Sequence, residues 1–331
     1  MNRPQSLSRD VHPASEHWLD RPEGGGWFAL WLIRSIGLHF GRGCARLLLY
    51  PITLYFYFRR GPERRAARDY FRRLDGRAGN VWQVLHLIHA FAATILDRVF
   101  LLARGIKGFK VSMRGVDELH HYLDQGKGVL LVGAHIGSFD VLRVLAAERP
   151  QYQLKLVMDK GKTPALTMLL EALAPDLARS IIDTSRGGMD IVLAISEAVH
   201  EGAMVTLLGD RGRPHELMRD APFLGSDAPF PAAPWLIASL LHVPVVLCLG
   251  LYRGGNRYDL VFETLAERVE LPRAGREAAL DACVRHYAAR LEHHLREAPY
   301  NWFNFYDFWQ PQAVVDARQT IADDLQHARA S

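Results

Sequence analysis

From about residue 105 onward, short apolar runs alternate with helix-length amphipathic stretches, and this alternation constrains the chain more than any other feature. Strands are expected at Val129–Val132, Leu154–Met158, Ser180–Asp183, Met204–Leu208, Val245–Leu251 and Tyr258–Glu263. Helices are expected near 116–125, 138–148, 164–174, 187–201, 234–242 and 275–298. Alternating strands and helices predict an α/β fold, with a mostly parallel central sheet flanked by helices on both faces. There is no internal repeat. A length of 331 residues suits one such domain with an appendage.

The appendage lies upstream and is helical. One apolar segment runs from Trp27 to Ile33 and, past Arg34, on to Phe40. A second, Leu47–Phe58, holds twelve residues without a charge and contains Pro51. A bilayer span needs about 20 apolar residues, so neither segment spans alone. Together they read as a helical hairpin or an interfacial anchor. The aromatic residues and the cationic run that follows are what a membrane surface favours. That run holds eight arginines between Arg59 and Arg77 against Glu63, Asp69 and Asp75. Its charge suits anionic lipid headgroups, an acidic protein or nucleic acid, and the neighbouring apolar segment favours lipid. Asn80–Leu102 has helical apolar spacing and carries His86 and His89, which read as packed or surface histidines rather than metal ligands. The expected organisation is a flexible N-terminus over 1–25 and a helical membrane-associating region over 26–104. An α/β domain over 105–312 and a tail over 313–331 complete it, with a linker at Gly105–Gly108.

Bulk properties exclude several classes. The net charge of +4, from 40 basic and 36 acidic residues, is mild overall and unevenly spread, and no nucleic-acid partner is expected beside so apolar a segment. Cys44, Cys248 and Cys283 are scattered and odd in number, so neither a disulfide framework nor a zinc site is expected. No metal and no cofactor is expected. The N-terminal residues lack the apolar core and small-residue cleavage site of a signal peptide.

The candidate reaction centre follows the strand at Val129–Val132. That strand ends in Gly133, and Ala134, His135, Ile136, Gly137, Ser138, Phe139 and Asp140 come next. Ligands of open α/β sheets sit beyond the carboxyl ends of strands, which is where this spacing puts His135. Histidine is the usual general base near neutral pH, and a carboxylate on one ring nitrogen fixes its tautomer. Asp140, in the first turns of the next helix, is the expected carboxylate. Ser138 is not in a Gly-x-Ser-x-Gly elbow, so no covalent serine mechanism is expected. Asp210 and Arg211, flanked by Gly209 and Gly212, end the strand at Met204–Leu208 and are expected at the same sheet edge as His135. Arg211 is a candidate for holding a phosphate or stabilising charge on a thioester oxygen. Arg186, before Gly187, Gly188 and a helix start, is a candidate anion contact.

The run Gly133–Asp140 resembles the His-x4-Asp/Glu box of the lysophospholipid acyltransferase superfamily. It is most similar to the branch of lipid A late acyltransferases, where the box often reads His-Phe-Gly-Asn-Trp-Glu. Three further stretches are similar to later blocks of that branch: Glu201–Gly212, Phe223–Pro231 and Asn301–Trp309. The likeness covers roughly residues 25 to 310. Asp140 stands where the lipid A enzymes carry Glu, and Asp210-Arg-Gly212 stands where they carry Asp-Gln-Asp. In these departures the chain looks more like the acyltransferases of aryl-polyene and xanthomonadin-type pigment pathways.

The resemblance implies a glycerolipid-acyltransferase-like fold. It also implies transfer of an acyl group from an acyl carrier protein or CoA thioester to a hydroxyl of a lipid or glycolipid. His135 and Asp140 would be catalytic. Gly137, Ser138, Asp210, Arg211, Gly212 and Arg186 would bind substrate or stabilise charge. Phe230 and Pro231 would line a groove. The setting implied is the cytoplasmic face of a bacterial inner membrane. A glycosyl- or phosphotransferase and a non-catalytic lipid-binding module are the alternatives; an Asp-x-Asp metal motif, which the first usually needs, is not present.

Overall fold

The computed structural model describes residues 26–142, 152–185, 187–213 and 216–309, with side chains described from Gly41 onward. Three helices open the described chain: α1 (Gly26–Arg59), α2 (Gly61–Asp75) and α3 (Val81–Arg104). The two expected apolar segments are helices that meet directly inside α1 at Gly41, whose φ of 82° breaks the helix without a connecting loop. An L side chain rarely adopts that conformation, so glycine is needed there. Helix α3 starts at a capping box, in which Asn80 accepts from the Gln83 amide and Gln83 from the Asn80 amide, both at 2.9 Å. It is long and apolar enough to cross a membrane, but 61% of its most apolar window is buried inside the protein. The two helices run antiparallel: Arg42 of α1 pairs with Asp97 of α3, and Tyr50 stacks on His89.

The α/β body then unfolds as β1 (Lys110–Arg114), α4 (Val116–Asp124), β2 (Val129–Gly133) and a short 3-10 turn at Phe139–Leu142. It continues through β3 (Leu154–Met158), α5 (Pro164–Leu173), α6 (Pro175–Arg179), β4 (Ile181–Asp183), α7 (Gly188–His200) and β5 (Met204–Leu208). A hairpin, β6 (Met218–Phe223) and β7 (Ser226–Pro231), leads into α8 (Ala233–Leu241), β8 (Val245–Tyr252), β9 (Arg257–Ala266) and α9 (Arg276–Glu297). The main sheet has the order β1-β9-β8-β2-β5-β3-β4, and only the β8–β9 pair is antiparallel. The mostly parallel α/β expectation is therefore correct. Strands β2 and β8 are buried along their whole length, as strands covered on both faces must be.

Besides the short helix α6, two features were not expected from the sequence. The first is edge strand β1, and the second is the separate two-stranded sheet of β6 and β7. Of the helix expected over 138–148, the described part is the four-residue 3-10 turn, and residues 143–151 lie outside the described residues. The proposed flexible N-terminus, 1–25, and the tail after Trp309 also lie outside them. Gly105–Gly108 form a turn. The α1–α3 layer and the sheet nevertheless share one hydrophobic cluster, in which Leu49, Tyr70 and Leu87 join Leu131 and Leu247.

The layer is also riveted by charge. Asp97 has no exposed side-chain surface and receives Arg42 on both oxygens, at 2.7 and 2.8 Å, and the Tyr258 hydroxyl at 2.8 Å. Arg42 and Arg46 both also donate to the Gly255 carbonyl, and Arg46 to the Tyr252 hydroxyl. Helices α1 and α3 are thereby tied to the β8–β9 connection. A buried carboxylate with three charge-assisted or hydroxyl donors is satisfied, whereas an unpaired one would not be tolerated.

Candidate active site

The paired ends of β2 and β5 place the site. Gly133 lies opposite Leu208 in that parallel pair, so two residues further on His135 and Asp210 come out at one sheet edge. The loop from His135 to Ser138 is held on both sides. The His135 carbonyl accepts from the Phe303 amide at 2.9 Å, the Gly137 amide donates to the Asn301 carbonyl at 2.9 Å, and the Ser138 amide donates to the Gly250 carbonyl at 2.7 Å. Gly137 and Gly250 meet so closely that a Cβ on Gly137 would sit 2.1 Å from the Gly250 oxygen. Gly137 also has a φ of 65°. Both constraints require glycine.

His135 faces Asp210. Its Nδ1 lies 2.9 and 3.1 Å from the two carboxylate oxygens, and its own amide donates to Asp210 Oδ2 at 3.0 Å. An ionised carboxylate can only accept, so Nδ1 carries the proton and Nε2 keeps its lone pair. Nε2 has no hydrogen-bond partner among the described residues, and 30% of the His135 side chain is exposed. Burial and the nearby Arg211 guanidinium lower the His135 pKa below the usual 6.5, against the opposing pull of Asp210. Burial alone would raise Asp210, yet His135, Arg211 and Asn304 together hold its carboxyl well below the usual carboxylate range. The arrangement is an oriented neutral base beside a permanent anion.

Asp140 does not meet the imidazole, which corrects the expected pairing. Its Oδ2 accepts from Arg98 Nε of α3 at 2.6 Å. The physical reason is the path of the loop. Gly137 turns in a left-handed conformation and Ser138 is tied to β8, so the chain enters the 3-10 turn directed at α3 rather than back at His135. The carboxylate that the imidazole needs comes instead from β5. Arg98 also adds to the positive field that lowers the His135 pKa.

The remaining candidates fall into four groups. Arg211 is in the site, but its guanidinium is engaged by the C-terminal segment. Nε donates to Asn304 Oδ1 at 2.6 Å, Nη2 donates to the Phe303 carbonyl at 3.2 Å, and the group lies 5.4 Å over the Tyr306 ring. Gly212 is buried beside it. The Gly137 and Ser138 amides are committed to protein carbonyls, while Ser138 Oγ is buried with no hydrogen-bond partner among the described residues. Phe230 and Pro231 are not on an open groove. Phe230 is fully buried against Phe223, Tyr287 and Phe308, and Pro231 is buried next to it. Arg186 lies outside the described residues. Among the other histidines, His86 stacks on Tyr300 at 3.9 Å and His89 packs on Tyr50.

Asn304 is the residue the sequence reading missed. Its side chain donates to Asp210 Oδ2 at 2.9 Å and accepts from Arg211, so it links the two charged groups of the site. It is buried, as is Asn301, whose side chain pairs with both backbone groups of Tyr252. The available signal was two asparagines within a run of aromatic residues, since a polar side chain buried there has to be hydrogen-bonded to persist.

Comparison with individually characterised proteins finds no significant match. A family model described as bacterial lipid A biosynthesis acyltransferase matches residues 101–310. That stretch spans the whole sheet apart from the leading helices, includes His135, Asp140, Asp210 and Arg211, and ends just past the aromatic segment that closes the site. The chain belongs to the bacterial lipid A biosynthesis acyltransferase family, so it is a lipid acyltransferase that acts between an acyl donor and a lipid acceptor.

Proposed function

We propose that this protein moves an acyl group from a thioester to a hydroxyl of a lipid or glycolipid, with His135 Nε2 as general base. The observation that carries the reading is the Asp210 carboxylate on His135 Nδ1, which leaves the lone pair on Nε2 of a side chain that is 30% exposed. Nε2 takes the acceptor proton as the hydroxyl oxygen bonds to the thioester carbonyl carbon. The carbon–sulfur bond then breaks, and the imidazolium returns the proton to the leaving sulfur. Asp210 stabilises that imidazolium. No enzyme-bound acyl intermediate is needed. Asp140, held by Arg98, sets the position of the His135 loop against α3. Arg211 supplies positive charge beside the base, with Asn304 fixing its direction. The donor is carried by acyl carrier protein or CoA, and the acceptor is lipid A-like or an aryl-polyene-type lipid.

We place the enzyme on the cytoplasmic face of a bacterial inner membrane, with residues 26–104 as the membrane-associating region and 105–312 as the acyltransferase domain. Support comes from α1, where Leu47, Tyr50, Leu54, Tyr55 and Phe58 form an exposed apolar stripe at helical spacing. Because α1 and α3 are antiparallel, Trp82, 79% exposed, falls at the Phe58 end of that stripe. The exposed side chains of Arg59, Arg65 and Arg72 follow at once. An aromatic and aliphatic stripe bordered by arginines suits insertion to headgroup depth.

The test is thioester consumption by purified enzyme with an acyl carrier donor and a bacterial lipid extract as acceptor. His135→Ala should lower turnover by about 10³-fold or more while leaving the melting temperature nearly unchanged. Near-normal turnover in a folded His135→Ala variant would sink the assignment.

A further inference from the structure

At the C-terminal end of α9, three side chains that can ligate a metal converge, and the acyl-transfer site uses none of them. They are His293, His294 and Glu297, and one ligand atom of each lies within 4.8 Å of the other two. His293 Nε2 lies 3.4 Å from Glu297 Oε1, and His294 Nδ1 lies 3.8 Å from Glu297 Oε2. Helical spacing explains the meeting, because residues three and four apart share a face.

His294 makes this more than a surface cluster. Its side chain is only 4% exposed, and its Nδ1 has no hydrogen-bond partner among the described residues. Its other nitrogen, Nε2, lies 3.3 Å from Glu263 Oε2 on β9. A carboxylate on Nε2 fixes the proton there and leaves a bare lone pair on Nδ1. A buried lone pair that accepts nothing costs free energy unless a ligand uses it. Carboxylate, then imidazole, then an unclaimed lone pair is the order in which metal-binding histidines are built. Glu263 is itself anchored by Arg290 at 2.5 Å.

We propose that His293, His294 and Glu297 bind a single Zn²⁺. The surroundings select the ion. Arg114 holds Glu297 Oε2 at 3.1 Å and Arg253 lies 4.0 Å from the same oxygen. Those cations leave too little negative charge for Ca²⁺ or Mg²⁺, which need several oxygen donors. Two imidazole nitrogens and one carboxylate oxygen match zinc. Zinc at about 2.1 Å from each donor asks for donor separations of about 3.4 Å, so a small rotation of the half-exposed His293 completes the set. Glu297 Oε1 turns to the metal while Oε2 stays with Arg114. The fourth position faces solvent and takes water. The ion would clamp the end of α9 just before Pro299–Asn301 leads the chain into Asn304. The earlier expectation of no metal rested on cysteine spacing and on His86 and His89, and neither reaches this cluster.

The experiment uses the full chain, freed of any histidine tag and stripped with chelator, then titrated with ZnCl₂ against a chromophoric chelator. One equivalent should survive desalting, and saturation should raise the melting temperature by about 2–4 °C. CaCl₂ and MgCl₂ should do neither. With 15 histidines in the chain, the assignment rests on a variant. His293→Ala should weaken zinc binding at least tenfold and abolish the thermal shift. Unchanged affinity in that variant, or failure of the parent to retain one equivalent, would overturn the proposal. Should His293→Ala not fold, X-ray absorption of the zinc-loaded parent decides: two imidazole ligands support the site, and a spectrum without imidazole rejects it.

Discussion

Two carboxylates in this molecule are equally buried and do different work. Asp97 and Asp210 both have no exposed side-chain surface, and each accepts several hydrogen bonds. Asp97 meets two arginines and a tyrosine, groups that keep their protons near neutral pH, and its network ties α1 and α3 to the sheet. Asp210 meets a histidine, an asparagine and a backbone amide, and the histidine side chain is 30% exposed, with no hydrogen-bond partner for its second nitrogen among the described residues. Burial and charge alone therefore do not mark a reaction centre. The distinction lies in whether the partner can exchange a proton, and whether its far side is reachable.

That contrast can be broken by substitution. Asp210→Asn should lower turnover by about 10³- to 10⁴-fold, because an amide can present a donor to Nδ1 and favour the wrong tautomer. Thioester consumption at saturating substrate measures it, and a loss below tenfold would place Asp210 with Asp97 as a structural group. Asp97→Ala should do the reverse. Removing one partner of a buried pair costs about 3 kcal/mol, the lower end of the range being apt because Arg42 is partly exposed. Chemical denaturation should show that loss, with turnover of the remaining folded enzyme close to the parent's. If turnover falls as steeply as stability, the two sites are coupled.

The smallest effect is on pH dependence. The His135 pKa is lowered, so the imidazole stays neutral and active to below pH 6.5, and the rate falls only as acid protonates it. Arg98 is one cause of that lowering, so Arg98→Gln should move the acidic limb of kcat/KM to higher pH. An unmoved limb would show that Arg98 acts only by holding Asp140.

Much of the site was legible because strand ends are legible. A buried run ending in Gly133 placed His135, and a second ending in Gly209 placed Asp210 and Arg211 at the same edge. The partner of Asp140 was not, since Arg98 lies 42 residues earlier on another helix. Asn304 was hidden among aromatic residues whose obvious role was packing. Strand β1 was missed because Lys110-Val-Ser-Met-Arg114 is short and only half-covered at the sheet edge. The β6–β7 hairpin was missed because Pro222, Pro229 and Pro231 argue against a strand, although a two-stranded edge tolerates them. His293, His294 and Glu297 share a face of a helix that was expected, but Glu263, which orients His294, lies 31 residues earlier on β9 and appears only once that strand is placed.

The central claim is that Asp210, and not Asp140, sets the tautomer of His135. Nitrogen-15 NMR of histidine-labelled enzyme, with His135 assigned by its loss in His135→Gln, reads that tautomer directly. The account predicts a protonated Nδ1 in the parent and in Asp140→Asn, and loss of that state in Asp210→Asn. A tautomer that survives Asp210→Asn and is lost in Asp140→Asn would contradict it.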